Sequence, residues 1–462
     1  MKLTQRLIMP LILISLIFQP VQFVFANESP PDGPDNKDCC KQMEKCLGVD
    51  LKCDEHPVSL MGGKLYFSLN DLVFGEERNY TEVSQIYVRR FFSTQSSFKG
   101  VFGVGWTSNL DMGIVVSDEG ITLRDEMGTL LYFPKDEYGN LQSPACVHSK
   151  IIEVPGGYLW KLKYGGEIFF DAVEKDGFTG YRLAWQKDRF GKAVRFEYSD
   201  EISLKESAEG LNRIYYYPVK IVQEFTGNYI EINYEKHVDR FGYESFYVTR
   251  IKDSEGREVS YGYKSIITEE NEILYLNSVR DPMGQTFKYD FVIEENESGE
   301  KEIRAFKMTN KRGYSVTHYF NNPFEIPTHD SNWNWNLRVI KDVDALGNKT
   351  NYEFDTNLSF SIYTDKNGNQ TIYKYSNMHI DEIIYPNGRS VKYFYDDARN
   401  KNRIVDENGN ETFYEYDERG NRIKEVDALG NIALWGYEST YNLWTFYKDK
   451  RGNVWELSLI HI

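Results

Sequence analysis

The sequence predicts an all-β protein of stacked or spiralling β-hairpin repeats behind a small N-terminal β module. Three observations carry that fold class. The glycines Gly347, Gly368, Gly388, Gly409, Gly430 and Gly452 are spaced by 21, 20, 21, 21 and 22 residues. Five and seven residues beyond the first five of them stand paired rings: Tyr352 and Phe354, Tyr373 and Tyr375, Tyr393 and Tyr395, Tyr414 and Tyr416, Trp435 and Tyr437. Residues two apart share one face of a strand, whereas a helix sets them about 200° apart, so the pairs exclude a helical repeat. The third observation is the phrase Asp-x-x-Gly that precedes most of the pairs. An aspartate accepts hydrogen bonds from turn amides and glycine supplies positive φ, which suits a type I turn closed by a glycine bulge.

Each unit of this period reads as one hairpin, because Asp417-Glu418-Arg419-Gly420-Asn421 inserts a second turn between Gly409 and Gly430. A lone hairpin is marginal in water, so the units must pair or stack to bury their rings. Looser copies run upstream: DRFGKAVRFEY from Asp188, DSEGREVSYGY from Asp253 and DPMGQTFKYDF from Asp281. NKRGYSVTHYF from Asn310 keeps Gly313 and Phe320 but carries His318 where the first ring belongs. Clear repeats are thus expected over 341–456 and degenerate ones over 151–340.

The N-terminus predicts export. Lys2 and Arg6 precede an apolar stretch from Leu7 to Ile17, and Val24-Phe25-Ala26 fits signal-peptidase cleavage after Ala26, making 1–26 a signal peptide. An uncleaved anchor is the alternative, disfavoured by Pro10, Gln19, Pro20 and Gln22 within the apolar run. Residues 27–55 read as a flexible leader with a cysteine cluster. In an oxidising compartment Cys39, Cys40, Cys46 and Cys53 are expected to form two local disulfides. Bonding the adjacent Cys39 and Cys40 would be strained, which leaves two connectivities open, and a zinc site held by four thiolates is the alternative. Cys146 is left over as a buried thiol or a partner for a thiol outside the chain. At the other end, 457–462 reads LSLIHI, which breaks the pattern and is similar to a library-adapter translation, so it is expected to be non-native and the gene to continue.

The phrase Tyr414-Glu415-Tyr416-Asp417-Glu418-Arg419-Gly420-Asn421 resembles the YD repeat of the Rhs (rearrangement hotspot) family, whose repeats also occur in wall-associated proteins, insecticidal toxin-complex subunits and teneurins. A second resemblance covers the front. His56-Pro57-Val58 through Gly62, Tyr87-Val88-Arg89-Arg90-Phe91-Phe92-Ser93, Gly100 to Trp106 and Asp125 to Thr129 are similar to the all-β module that precedes such repeats, and 56–150 is assigned to it. The resemblance implies a spiral of hairpins forming a hollow shell around a toxic C-terminal segment of the same polypeptide. The partners implied are that missing effector and, for an adhesion protein, cell-wall glycan or a target-cell surface.

The 70 Asp and Glu against 54 Lys and Arg, a formal charge of −16, argue against a nucleic-acid partner, since phosphate neutralisation needs clustered cations. The sequence contains no H-E-x-x-H, phosphate-binding loop or G-x-S-x-G elbow, and its seven histidines are scattered. No catalytic, cofactor or metal residue is therefore assigned, and a non-enzymatic scaffold is expected. Asp281-Pro282-Met283-Gly284 resembles half of a paired self-cleavage motif, but Ile303-Arg304-Ala305-Phe306 stands where the second half belongs, so an ordinary repeat turn is expected. The sequons at Asn348, Asn369 and Asn410 arise from the turn-to-strand phrase itself.

Overall fold

The computed structural model describes residues 58–59, 63–74, 84–94, 98–144, 147–208, 211–267, 272–295, 301–325, 337–355, 357, 359–376, 379–440 and 442–456. The expected signal peptide, the five cysteines and the tail from Leu457 lie outside them. The described residues form strands and turns, with no α-helix among them, as the repeat spacing requires. From Lys150–Val154 to Val454–Glu456, each strand pairs antiparallel with the next in sequence order. Strands from Val339–Val343 to Trp444–Lys448 are 5 to 7 residues long, as closely spaced turns dictate. Upstream, where turns lie farther apart, Ala193–Ala208 reaches 16 residues and Leu211–Gln223 reaches 13.

The N-terminal part forms two small sheets. Tyr66–Phe74, Ile86–Ser93 and Trp106–Ser108 make one, and Gly113–Val116, Gly120–Arg124 and Leu130–Pro134 make the other. The first sheet docks on the ribbon through rings. Phe92 stacks on Phe306 at 4.4 Å between centroids, and Trp106 meets Tyr289 edge-on at 5.2 Å. Such pairs add about 0.5–1.5 kcal/mol each beyond the area they bury. Backbone bonds extend the contact: Val248 N donates to Val101 O, and Val339 N to Gly63 O, both over short distances (2.9 and 2.8 Å). Since the module touches the ribbon at points this far apart in sequence, the ribbon bends around it.

The turns follow one plan. The repeat glycines take φ between 79° and 88°, and each amide donates back to the carbonyl three residues earlier. In the copy at Asp365, Oδ1 accepts from Asn367 N at 2.8 Å and Asn369 N at 2.9 Å, while Asn369 Nδ2 donates to Oδ2 at 2.9 Å. Asp344, Asp406 and Asp449 repeat the arrangement with Asn348, Asn410 and Asn453. The sequon asparagines are thus engaged in closing turns. Where Tyr385 replaces the aspartate, Asn387 Oδ1 accepts from Arg389 N instead. Asp281 holds Met283 N and Gln285 N in the same way, so its turn is like the others.

The asparagine bonds, followed by the turn amides and against some desolvation, hold Asp344, Asp365, Asp406, Asp427 and Asp449 below the usual carboxylate range. With the folded value depressed, the unfolded chain takes up protons first as pH falls. The stabilisation is therefore complete above about pH 4 and disappears as pH drops through the folded values. The urea midpoint is expected to fall on acidification below about pH 4, with a shallower fall in the Asn348→Ala, Asn369→Ala, Asn410→Ala triple variant. Parallel curves for the two proteins would contradict this role.

Candidate functional surface

The second ring of each pair does more than fill space. Tyr198, Tyr234, Tyr263, Tyr395, Tyr416 and Tyr437 each stand seven residues beyond a turn glycine. Each phenol donates to a main-chain carbonyl one hairpin earlier: Leu183 at 2.7 Å, Pro218 at 2.9 Å, Val248 at 2.7 Å, Ile380 at 2.9 Å, Lys401 at 2.9 Å and Arg422 at 3.2 Å. The separation is 15 residues in five cases and 16 in the other. Burial raises the phenol pKa of Tyr198, Tyr234, Tyr263, Tyr395 and Tyr416, so these hydroxyls stay protonated donors at neutral pH.

The acceptors are not arbitrary. The pairing register slips immediately before Tyr198, Tyr234, Tyr263, Tyr375, Tyr395, Tyr416 and Tyr437. Across those slips Pro218 faces Tyr198, Val248 faces Tyr234, Ile380 faces Tyr375, Lys401 faces Tyr395 and Arg422 faces Tyr416. An inserted residue interrupts the ladder and leaves main-chain groups in need of partners. The next tyrosine supplies one. Each of these six hairpins is thereby latched to the hairpin before it, at roughly 0.5–1.5 kcal/mol per bond. Tyr375 uses the hydroxyl of Ser361 instead, at 2.9 Å, and Phe291, Phe320 and Phe354 occupy the same position without a hydroxyl.

A second polar device joins module to ribbon. Arg90 and Asp71 are buried to 1% and 5% side-chain exposure and form a bidentate pair, with Nη2 to Oδ1 at 2.7 Å. Tyr261 Oη from the ribbon donates to Asp71 Oδ2 at 2.7 Å, and the guanidinium lies 4.6 Å from the centre of Trp106. Burial opposes the Arg90 charge, but Asp71 outweighs it and holds its pKa above the ordinary value. At the irregular copy, buried His318 Nδ1 meets Asp342 Oδ1 at 2.6 Å, while Tyr352 Oη donates to Asp342 Oδ2 at 2.8 Å. Asp342 and the neighbouring Tyr352 thus accommodate the imidazole that replaces a ring. Among the described residues no group of three or more His, Cys, Asp and Glu is placed to hold a metal ion.

The repeat rings differ in cover. Tyr352, Tyr373 and Tyr375 are buried, whereas Phe354, Tyr393, Tyr395, Tyr414, Tyr416, Trp435 and Tyr437 are half-buried. Full burial was the expectation for the repeats as a whole; in the later strands neither face is fully covered. Every residue of Lys401–Val405, Arg422–Val426 and Trp444–Lys448 is partly exposed. There a ring column crosses the strands: Trp435 lies 5.2 Å from Tyr447, and Tyr447 lies 5.3 Å from Trp455, which is 47% exposed. Arg422 caps the column 4.4 Å from the Trp435 centre.

One turn glycine is set apart by its neighbour. A Cβ at Gly420 would lie 2.4 Å from His148 Nε2, while one at Gly430 would meet nothing within 4 Å. Burial, with Lys163 adding and Asp417 opposing, pushes His148 down to about 4, so the contact is with a neutral ring. Both glycines have positive φ, 70° and 81°, which costs an L-residue about 1–2 kcal/mol. Gly420→Ala is expected to cost about 1–3 kcal/mol more than Gly430→Ala from overpacking. Equal urea midpoints for the two variants would contradict the contact.

Comparison with known proteins adds the following. The family described as "Domain of unknown function (DUF6531)" matches residues 55–133. No curated protein matches the chain. Among solved structures, one titled "Crystal Structure of TcdB2-TccC3 without hypervariable C-terminal region" is similar at 10% identity with a TM-score of 0.31, over 83% of this chain and 24% of that one. The Photorhabdus luminescens Tc holotoxin pore carrying the TccC3-D651A mutation is similar at 10% identity and a TM-score of 0.30, over 85% of this chain and 26% of that one. A porin-like protein from Bacteroides uniformis gives 9% identity and a TM-score of 0.13, over 64% of this chain and 91% of that one. The chain spans about a quarter of the length of the toxin-complex chains it matches.

Proposed function

We propose that this chain is part of an exported, non-enzymatic scaffold of the YD-repeat kind, whose β-shell encloses and delivers a C-terminal effector segment of the same polypeptide. The observation that carries this is the use to which its polar side chains are put. Aspartates and asparagines close turns, tyrosines latch neighbouring hairpins, and Tyr261 of the ribbon bonds the module's Asp71, which is paired with buried Arg90. Such chemistry builds a wall rather than a reaction centre. The repeat itself, with the period and turn phrase of YD repeats, supports the choice of scaffold. Sequencing the locus past the codon for Glu456 tests it: further copies at the same spacing, followed by an unrelated domain, are expected. A stop codon within the next few codons would overturn it.

A cell-surface protein that binds wall glycan is the second reading, favoured by the exposed edge of the Trp435–Tyr447–Trp455 column. A glycan array on residues 27–456 separates the two. Specific sugar binding that is lost in Tyr393→Ala or Trp435→Ala supports adhesion, and its absence leaves the scaffold.

A further inference from the structure

Four residues at 21-residue steps, His379, Asn400, Asn421 and Asn442, stand at or just before the start of a strand: His379–Ile384, Lys401–Val405, Arg422–Val426 and Trp444–Lys448. All four are buried, at 7%, 6%, 0% and 3% exposure. The asparagines are hydrogen-bonded there. Asn421 and Asn442 exchange amide bonds at 2.6 and 2.8 Å, and Asn400 Nδ2 donates to Asp396 Oδ2 at 3.1 Å. His379 is the exception, since neither ring nitrogen has a hydrogen-bond partner among the described residues. Its imidazole instead stacks on Tyr395 at 4.5 Å with 23° between planes. Tyr395 is the tyrosine whose phenol latches onto Ile380 O, the residue next to His379.

We propose that His379 is a proton-sensitive weak point of the ribbon: mild acid charges the imidazole, dislodges it from Tyr395 and opens the three-stranded segment spanning 379–405, while the segment spanning 422–448, flanked by the bonded Asn421 and Asn442, stays closed. A buried imidazole without an acceptor is tolerated as a neutral ring and opposed as a cation. The charges facing it sharpen this. Arg399 in the turn Asp396–Asn400 and Lys401 at the start of strand Lys401–Val405 disfavour the cation, and only Asp381, on its own strand, favours it. Burial is the largest cause, and all but Asp381 lower the pKa of His379 in the fold. The unfolded or opened segment therefore binds the proton first as pH falls below about 6.5, and each further unit raises the opened population by up to about tenfold. The inference does not depend on what the scaffold carries.

Hydrogen exchange of the full chain, corrected for intrinsic rates, provides the test at about pH 7.5 and about pH 5, the span in which histidine titrates. Peptides within 379–405 are expected to exchange at least several-fold faster in acid, with peptides of 422–448 unchanged. His379→Asn, which installs the residue used at the other three positions, is expected to abolish the difference, and Tyr395→Phe to speed exchange at both pH values. Exchange in 379–405 that is insensitive to pH overturns the proposal. So does acid acceleration that persists in His379→Asn, or that appears only around Asp417 to Asn421 beside His148. Should His379→Asn fail to fold, the comparison of the two segments in the unaltered chain still decides the matter.

Discussion

Replacing Asp71 with alanine is expected to lower the stability of the chain by about 3–5 kcal/mol, the cost of leaving a buried guanidinium without its counter-charge. Arg90 is enclosed by Trp106, Phe102 and Tyr261, at 4.6, 5.6 and 5.6 Å from guanidinium to ring centre. Ring faces attract a cation but do not accept the directed bonds that a carboxylate does. Tyr261 also loses the acceptor that ties the ribbon to the module. The double change Asp71→Ala with Arg90→Met is expected to recover much of the loss, because an apolar filling of similar volume avoids the desolvation that the pair must overcome. Urea unfolding measures both. An Asp71→Ala protein within about 0.5 kcal/mol of the original, the range of an ordinary surface change, would show that the pair anchors nothing.

The combined change Tyr395→Phe, Tyr416→Phe and Tyr437→Phe is expected to cost about 3 kcal/mol, near 1 kcal/mol for each lost bond. The rings remain, so packing is retained and only the bonds to Ile380, Lys401 and Arg422 are removed. In a repeat array stability is a sum of unit and nearest-neighbour terms, and these bonds belong to the neighbour terms. The loss should therefore appear as a less cooperative transition as well as a lower midpoint. An unchanged transition would mean that water satisfies the freed carbonyls at no cost.

Much of this fold was legible because its signals are local. Period, turn glycines and the spacing of the rings depend only on residues a few positions apart, and they led directly to an antiparallel ladder. The aspartate in each turn was equally plain. Its asparagine partner was missed, because Asn beside a turn glycine is already accounted for by turn preference, and the bond from Asn369 Nδ2 to Asp365 leaves no further mark in the sequence. The latches were hidden for a different reason. A phenol such as that of Tyr416 is visible, but its acceptor is a main-chain carbonyl, which every residue has. The available hint was that Tyr stands at the second position of so many copies where Phe would fill the space as well. His318 was visible as an exception, yet its partner Asp342 lies 24 residues away with nothing to single it out. Asp71 and Arg90, 19 residues apart on paired strands, are equally silent. The uneven cover of the rings was equally hidden, since buried Tyr373 and half-buried Tyr414 stand at the same place in the same local phrase.

Two tyrosines of one copy decide whether hydroxyls at the second ring position couple the hairpins. Tyr414 and Tyr416 lie on the same strand and are both half-buried, but only Tyr416 donates to the carbonyl of Lys401. Equilibrium unfolding of Tyr414→Phe and Tyr416→Phe, measured side by side, should show a loss of about 1 kcal/mol for Tyr416→Phe and a change within about 0.5 kcal/mol for Tyr414→Phe. Equal losses, or a larger one for Tyr414→Phe, would contradict the latch.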